Sequence, residues 1–247
     1  MIIINKLIYL VNIISDGMGA GVGNLVAENK LSNTIKVFWE LTAIRFLILG
    51  IISFSLFLFM EPFIDLWLGK EYLLSDTVLY LLLANIFITL SRGVVQMYLH
   101  AYGLYADVWA SWTEVGVNLV VSLLGGYYFG IAGILMGKII SSSFIAFFWK
   151  PYYLFKEGLK QPYINYWKGM TPFYTIFFVF ILLITPIKYY IIDIQVENFY
   201  KFIIYFPTIM LPLIFFYIFF LYKTTPGMKY FIVRLPIFTK FLNREIK

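Results

Sequence analysis

Inside an otherwise apolar run, Asn85, Thr89, Arg92 and Gln96 follow one another at spacings of four, three and four residues, and His100 continues the line. Those spacings stack the side chains on one face of a helix. A later run repeats the design with Ser111, Glu114, Asn118 and Ser122, and the first run of the chain does so with Asn5, Asn12, Asp16, Gly19 and Gly23. Lipid penalises such stripes, so they predict a bundle interior, and several together predict a cavity through which something polar passes. A single charge at mid-bilayer costs on the order of 2.5–3.5 kcal/mol, so each needs a partner, water or a route to the interface. Arg92 and Glu114 fall in the inner halves of adjacent runs and suit an ion pair between helices as well as a ligand site. Asp16 sits mid-run with no partner evident in sequence, which makes it a candidate proton or cation site. Arg45 lies seven residues inside its run, roughly 10 Å at 1.5 Å per residue and near enough to snorkel to the surface. Lys138 stands beside Gly133, Gly137 and Ser141, whose four-residue spacing marks a close-packing face. It faces either the cavity or the outer interface. Catalysis has little to work with: one histidine, no cysteine, no Asp-rich motif for metal-bound diphosphate chemistry and no Gly-rich phosphate loop. No enzymatic activity, metal or cofactor is expected.

The elements that must carry these stripes follow from composition. With 62 % hydrophobic, 21 % aromatic and only 13 % charged residues, the 247-residue chain has too little polar surface to coat a water-soluble globule. The bilayer is its solvent, and long unbroken apolar runs read as helices, not as the alternating strands of a barrel. Seven spans are predicted, near residues 2–27, 38–60, 77–101, 108–129, 131–149, 171–191 and 202–222. The fourth and fifth meet at Gly130 and must form a tight hairpin. Lys150, Lys156, Lys160 and Lys168 follow span five, and Lys223, Lys229, Arg234, Lys240, Arg244 and Lys247 fill the tail, so both segments are predicted to be cytoplasmic. Alternation then places Lys30 and Lys36 inside too, giving twelve basic residues inside, four outside (Lys6, Lys70, Lys188, Lys201) and three within spans. The loop from Glu61 to Asp76 is acidic and falls outside. A net charge of +6 is thus explained by the anionic inner leaflet, and no nucleic-acid partner is expected. The same alternation puts the first residue outside, although no basic segment precedes span one, which predicts an odd number of helices upstream. The tail from Lys223 alternates basic residues with Ile232, Leu235, Ile237, Phe238, Phe241 and Leu242. It suits an interfacial segment or a disordered one, and Pro226 and Pro236 argue against one continuous helix.

Several stretches carry a resemblance. They are Gly21-Val22-Gly23-Asn24-Leu25-Val26-Ala27, Phe38-Trp39-Glu40, and Glu61-Pro62-Phe63-Ile64-Asp65-Leu66-Trp67-Leu68-Gly69-Lys70-Glu71-Tyr72, followed by Ala101-Tyr102-Gly103-Leu104, Gly130-Ile131-Ala132-Gly133-Ile134 and Trp149-Lys150-Pro151-Tyr152. Their order and their places at span ends resemble the C-terminal part of Wzx-type polysaccharide flippases, within the multidrug/oligosaccharidyl-lipid/polysaccharide exporter superfamily, over about residues 1–160. The resemblance implies an all-α integral membrane fold in which residues 1–170 match helices of the second of two lobes, 171–222 add two further transmembrane helices and 223–247 form a basic cytoplasmic tail. It implies export of an undecaprenyl-diphosphate-linked oligosaccharide across a bacterial inner membrane for surface polysaccharide such as O-antigen. The resemblance also implies that a whole first lobe, as a separate partner, and the first helix of the second would be absent from this chain. On that hypothesis Arg92, Arg45 and Lys138 are the cations available to a diphosphate, Gln96, Asn85, Asn118 and Ser111 contact sugar hydroxyls, and Asp16 or Glu114 carries a coupling ion or proton. No motif of the family assigns a role to these positions, so they rest on intramembrane polarity alone. The alternatives are a membrane enzyme or polymerase of the same glycan pathway, a small-molecule exporter of the same superfamily, and an inactive membrane fragment.

Overall fold

The computed structural model describes residues 2–193 and 198–234. Its secondary structure is about 90 % helical and contains no strand among the described residues. The chain is an all-α, multi-spanning membrane protein. α1 is Ile2–Ala27, α2 Leu31–Trp67, α3 Asp76–Ser91, α4 Gly93–Ala101, α5 Val108–Phe144, α6 Lys150–Tyr153, α7 Tyr163–Asp193, α8 Phe199–Thr224 and α9 Pro226–Arg234. Among the described residues six helical runs are long and apolar enough to cross a membrane, α3 and α4 together counting as one. Another of the six, Val108–Gly158, is folded at Gly130 (φ 57°, ψ −135°) into two arms, and these seven crossings match the predicted spans. Only glycine takes that backbone conformation without strain.

α2 organises the bundle. Its 37 residues span about 55 Å at 1.5 Å per residue, well beyond a hydrocarbon core of about 30 Å. It is apolar all round because it touches α1, α3, α4, α7, α8 and α9. Phe54 meets Phe177 and Phe180 of α7 and Tyr217 of α8, with ring centroids 5.8, 5.9 and 5.0 Å away. Gly50 makes room for the Tyr217 ring, which fills the place a Cβ would take, and the Tyr217 hydroxyl donates to the Phe46 carbonyl at 2.9 Å. The arms of α5 approach through glycine as well: a Cβ on Gly133 would strike the backbone of Gly125, and one on Gly137 would strike Ser122. The close-packing face expected around Lys138 is therefore the contact between the arms. The opposite face of the first arm is exposed and apolar, with Trp112, Leu123 and Tyr127 prominent.

Two features differ from the sequence reading. α7 begins at Tyr163, not near 171, because Tyr163, Tyr166 and Trp167 extend the apolar surface as an aromatic belt. The second arm also continues beyond 149 through π-helical turns at Ile145–Trp149 and Leu154–Gly158 that flank α6. Within the tail, Pro226 starts α9 after an extended Thr225, as a proline at a first helical position should. α9 docks on α2, with Gly227 against the Trp39 backbone, Met228 buried and Arg234 paired with Glu40 at 3.1 Å. Residues 235–247 lie outside the described residues.

The contacts define two ends. At one, Phe38 packs edge-on to Tyr98 and Phe155 at 5.1 and 5.6 Å, Tyr98 donates to the Thr34 carbonyl at 3.1 Å, and α9 covers Trp39. At the other, Lys188 of α7 lies 3.0 Å from Glu61 and 2.9 Å from Asp76. The grouping is the one alternation predicts: the basic segments share an end, and the acidic loop lies opposite.

Candidate functional site

The helical run that carries the longest polar stripe is interrupted in its middle. α3 stops at Ser91, α4 starts at Gly93, and Arg92 between them has φ −80° and ψ −10°. Gly93 offers no side chain at this point, and the Arg45 guanidinium of α2 occupies the space a Cβ would fill. Arg45 is 7 % exposed and its Nη1 donates to the Val11 carbonyl of α1 at 3.4 Å. It points into the bundle and does not snorkel. The reason is local: the gap left by Gly93 and the carbonyl on α1 give the guanidinium an inward berth.

Around these arginines lie two polar cavities. The larger, about 510 Å³, is an open cleft lined by α1, α2, α3 and α4, and Asn12, Arg45, Thr89, Arg92, Gln96 and His100 supply its polar lining. The smaller, about 270 Å³, lies against the two arms of α5, where Ser111, Glu114, Asn118, Lys138 and Ser142 join Arg92. The stripes of the first, third and fourth spans thus converge in pairs, and Arg92 belongs to both cavities. Its Nη1 donates to Glu114 Oε1 at 2.7 Å, and Ser142 Oγ donates to the same oxygen at 2.6 Å. The ion pair predicted between adjacent spans is present. Lys138 is close enough to Arg92 and Glu114 to interact with both charges. Asn118 accepts from Ser122 at 2.9 Å.

Two predicted residues stand apart. Asn85 lines neither cavity; its Nδ2 donates to the Leu81 and Leu135 carbonyls at 2.9 and 3.2 Å and ties α3 to the second arm of α5. The side chain of Asp16 lies outside the described residues. Sequence reasoning missed Lys150, which the basic composition of its surroundings assigned to a cytoplasmic loop. Lys150 is 8 % exposed and donates to Gln96 Oε1 at 2.8 Å. Gln96 Nε2 is then free to donate to His100 Nε2, 2.7 Å away. A wide π turn advances the side chains that follow it relative to an α-helix, which is how a residue read as loop comes to face the bundle. Lys150 also feels the charges of Asp107, Arg92 and Glu114. No alternation or spacing in the sequence announces a π turn.

The chemistry available is recognition of charge. Among the described residues the linings supply Arg45, Arg92 and Lys138 against one carboxylate, Glu114, with amide and hydroxyl groups between them. The larger cavity, with two guanidinium groups and no carboxylate among the described residues of its lining, suits an anion. Among the described residues no group of His, Asp and Glu is arranged to hold a metal ion. A separate apolar cavity of about 430 Å³ lies between α2, α3 and α7, walled by Phe57, Tyr80, Phe87, Phe147 and Phe177. The fold and these cavities define a class, a polytopic α-helical membrane protein with a cationic interior. No family model, curated protein or solved structure matches the chain.

Proposed function

We propose that this chain is a cavity-forming part of a transporter that moves an anionic, lipid-linked oligosaccharide, an undecaprenyl diphosphate derivative, across a bacterial inner membrane. The observation that carries the reading is the lining of the larger cavity, where Arg45 and Arg92 stand together in the middle of an apolar bundle. A diphosphate accepts forked hydrogen bonds from guanidinium groups, so two of them lining one cavity suit it. Asn12, Thr89 and Gln96 add donors and acceptors suited to sugar hydroxyls. The aromatic cavity between α2, α3 and α7 offers apolar surface of the kind a polyprenyl chain requires. The basic end of the bundle, with Lys30, Lys36, Lys156 and α9, is the cytoplasmic end by charge bias. Alternating access needs two halves that rock against each other. The exposed faces of α1 and α5 are where a separate first lobe packs.

Complementation of a flippase-deficient strain tests the reading, scored by surface glycan, with this chain alone and beside a first lobe encoded upstream. Rescue by the pair, lost on Arg92→Ala with membrane levels maintained, is the expected result. Failure of both arrangements, with both polypeptides in the membrane, overturns it.

A further inference from the structure

Two helices wall the apolar cavity, and each carries its lining as a stripe that ends in a charge. On α3, Asp76, Tyr80, Ala84 and Ile88 recur every four residues, and on α7, Phe177, Ile181, Thr185 and Lys188 follow at spacings of four, four and three. Such spacings put each set on one helical face, and all but the two charged residues line the cavity. Those two close its end. The Lys188 ammonium lies 5.6 and 5.5 Å from the centres of the Phe57 and Tyr80 rings, which are cavity walls, and it is bound by Asp76 at 2.9 Å and Glu61 at 3.0 Å. This acidic end is the outer one by charge bias. From Asp76 to Ile88 the stripe runs about 18 Å at 1.5 Å per residue, close to half of a hydrocarbon core of about 30 Å and so to one leaflet. The cavity is an open groove, with Tyr80 and Phe178 of its lining exposed. We propose that it binds one phosphatidylethanolamine molecule of the outer leaflet, with an acyl chain between α3 and α7 and the headgroup ammonium at Asp76.

The headgroup preference follows from charge. Among the described residues Lys188 is the one cation placed against Glu61 and Asp76, so one carboxylate charge is left over. Lys188 is 3 % exposed and beyond the reach of a lipid, whereas Asp76 is 64 % exposed at the mouth of the groove. A headgroup arriving there meets a carboxylate and not an ammonium. The primary ammonium of phosphatidylethanolamine can donate to that carboxylate, as a lysine ammonium does. The quaternary ammonium of phosphatidylcholine keeps the charge and has no N–H to give. Phosphatidylglycerol has no cation at all, and its net negative charge is repelled. The acyl chain contributes little to the choice, because packing against Phe87 and Phe177 replaces similar packing among lipid tails. An ordinary lipid of the surrounding bilayer would show no such preference. The inference does not depend on the cargo proposed above; a polyprenyl chain entering the groove competes with the phospholipid for the same surface.

The test is native mass spectrometry of the full chain, purified in detergent, delipidated and titrated with equal amounts of dioleoyl phosphatidylethanolamine, dioleoyl phosphatidylcholine and dioleoyl phosphatidylglycerol. The expected result is one phosphatidylethanolamine retained per chain, at least about threefold more tightly than either competitor, which is within what an exposed ion pair supports. Asp76→Asn removes the carboxylate at the mouth, leaves Lys188 paired with Glu61, and should abolish the preference. Ala84→Phe places a ring in the groove and should lower retention of phosphatidylethanolamine by at least about threefold, with the melting temperature as the check on folding. Equal retention of the three lipids by the wild type, or a preference for phosphatidylglycerol, overturns the proposal, and that comparison needs no variant. A preference that survives Asp76→Asn, or retention that Ala84→Phe leaves unchanged, overturns it as well.

Discussion

Lys188 is held by two carboxylates, Glu61 at 3.0 Å and Asp76 at 2.9 Å, with the Phe57 and Tyr80 rings beside its ammonium group. Removing the cation leaves two like charges facing each other. Loss of one member of a fully buried pair costs about 3–5 kcal/mol. Here Asp76 is 64 % exposed, so water screens part of that, and Lys188→Met is expected to cost about 1–2 kcal/mol. Thermal unfolding in detergent measures it, and adding Glu61→Gln should recover part of the loss. Gly93 poses a different case, because the atom its Cβ would strike is the far end of a flexible arginine. Gly93→Ala should therefore cost little stability, under about 1 kcal/mol, while it displaces Arg45 from the larger cavity. The expected outcome is a small change in melting temperature with at least a severalfold loss of pyrophosphate affinity by calorimetry. A large melting shift with unchanged affinity would mean that Arg45 has no part in binding.

At the scale of elements, the neighbour of Gly133 is backbone, which cannot swing aside as Arg45 can. Gly133→Leu should separate the arms of α5 at a cost of about 1–3 kcal/mol or more. A fall in melting temperature and faster proteolysis near Gly130 would report it. These elements were largely legible in advance. Apolar runs near membrane length gave the crossings, Gly130 gave the hairpin, and four-residue spacing gave the Gly133 and Gly137 contact. The stripe of Thr89, Arg92 and Gln96 gave one wall of the larger cavity, because helical periodicity fixes which side chains share a face. What the sequence hid depended on departures from that periodicity or on tertiary partners. Lys150 reaches Gln96 through a π-helical stretch that shifts its phase. Arg45 turns inward because Gly93, on another helix, leaves it room. Asn85 sat on the right stripe, yet the Leu135 carbonyl claims its amide.

Over the whole molecule, the contacts sort the loops onto two ends, and the account assigns the basic end to the cytoplasm. The chain has no cysteine, so single cysteines report sidedness without background. Lys229→Cys and Lys70→Cys both sit at exposed positions. A membrane-impermeant maleimide added to spheroplasts should label the cysteine at 70 and reach that at 229 only after the membrane is broken; the reverse pattern would invert the topology. The central claim is that the cationic cavity receives the diphosphate of a polyprenyl-linked substrate. Its most direct test compares binding of undecaprenyl diphosphate and undecaprenol to the full chain in nanodiscs, for the wild type and for Arg45→Ala/Arg92→Ala. Each charge-assisted contact is worth about 1.5–3 kcal/mol, or roughly 10-fold to 100-fold in affinity. The account predicts saturable binding of the diphosphate, at least tenfold tighter than that of the alcohol, with the preference abolished in the double variant. Equal binding of the diphosphate and the alcohol, or a preference that survives loss of both arginines, would contradict it.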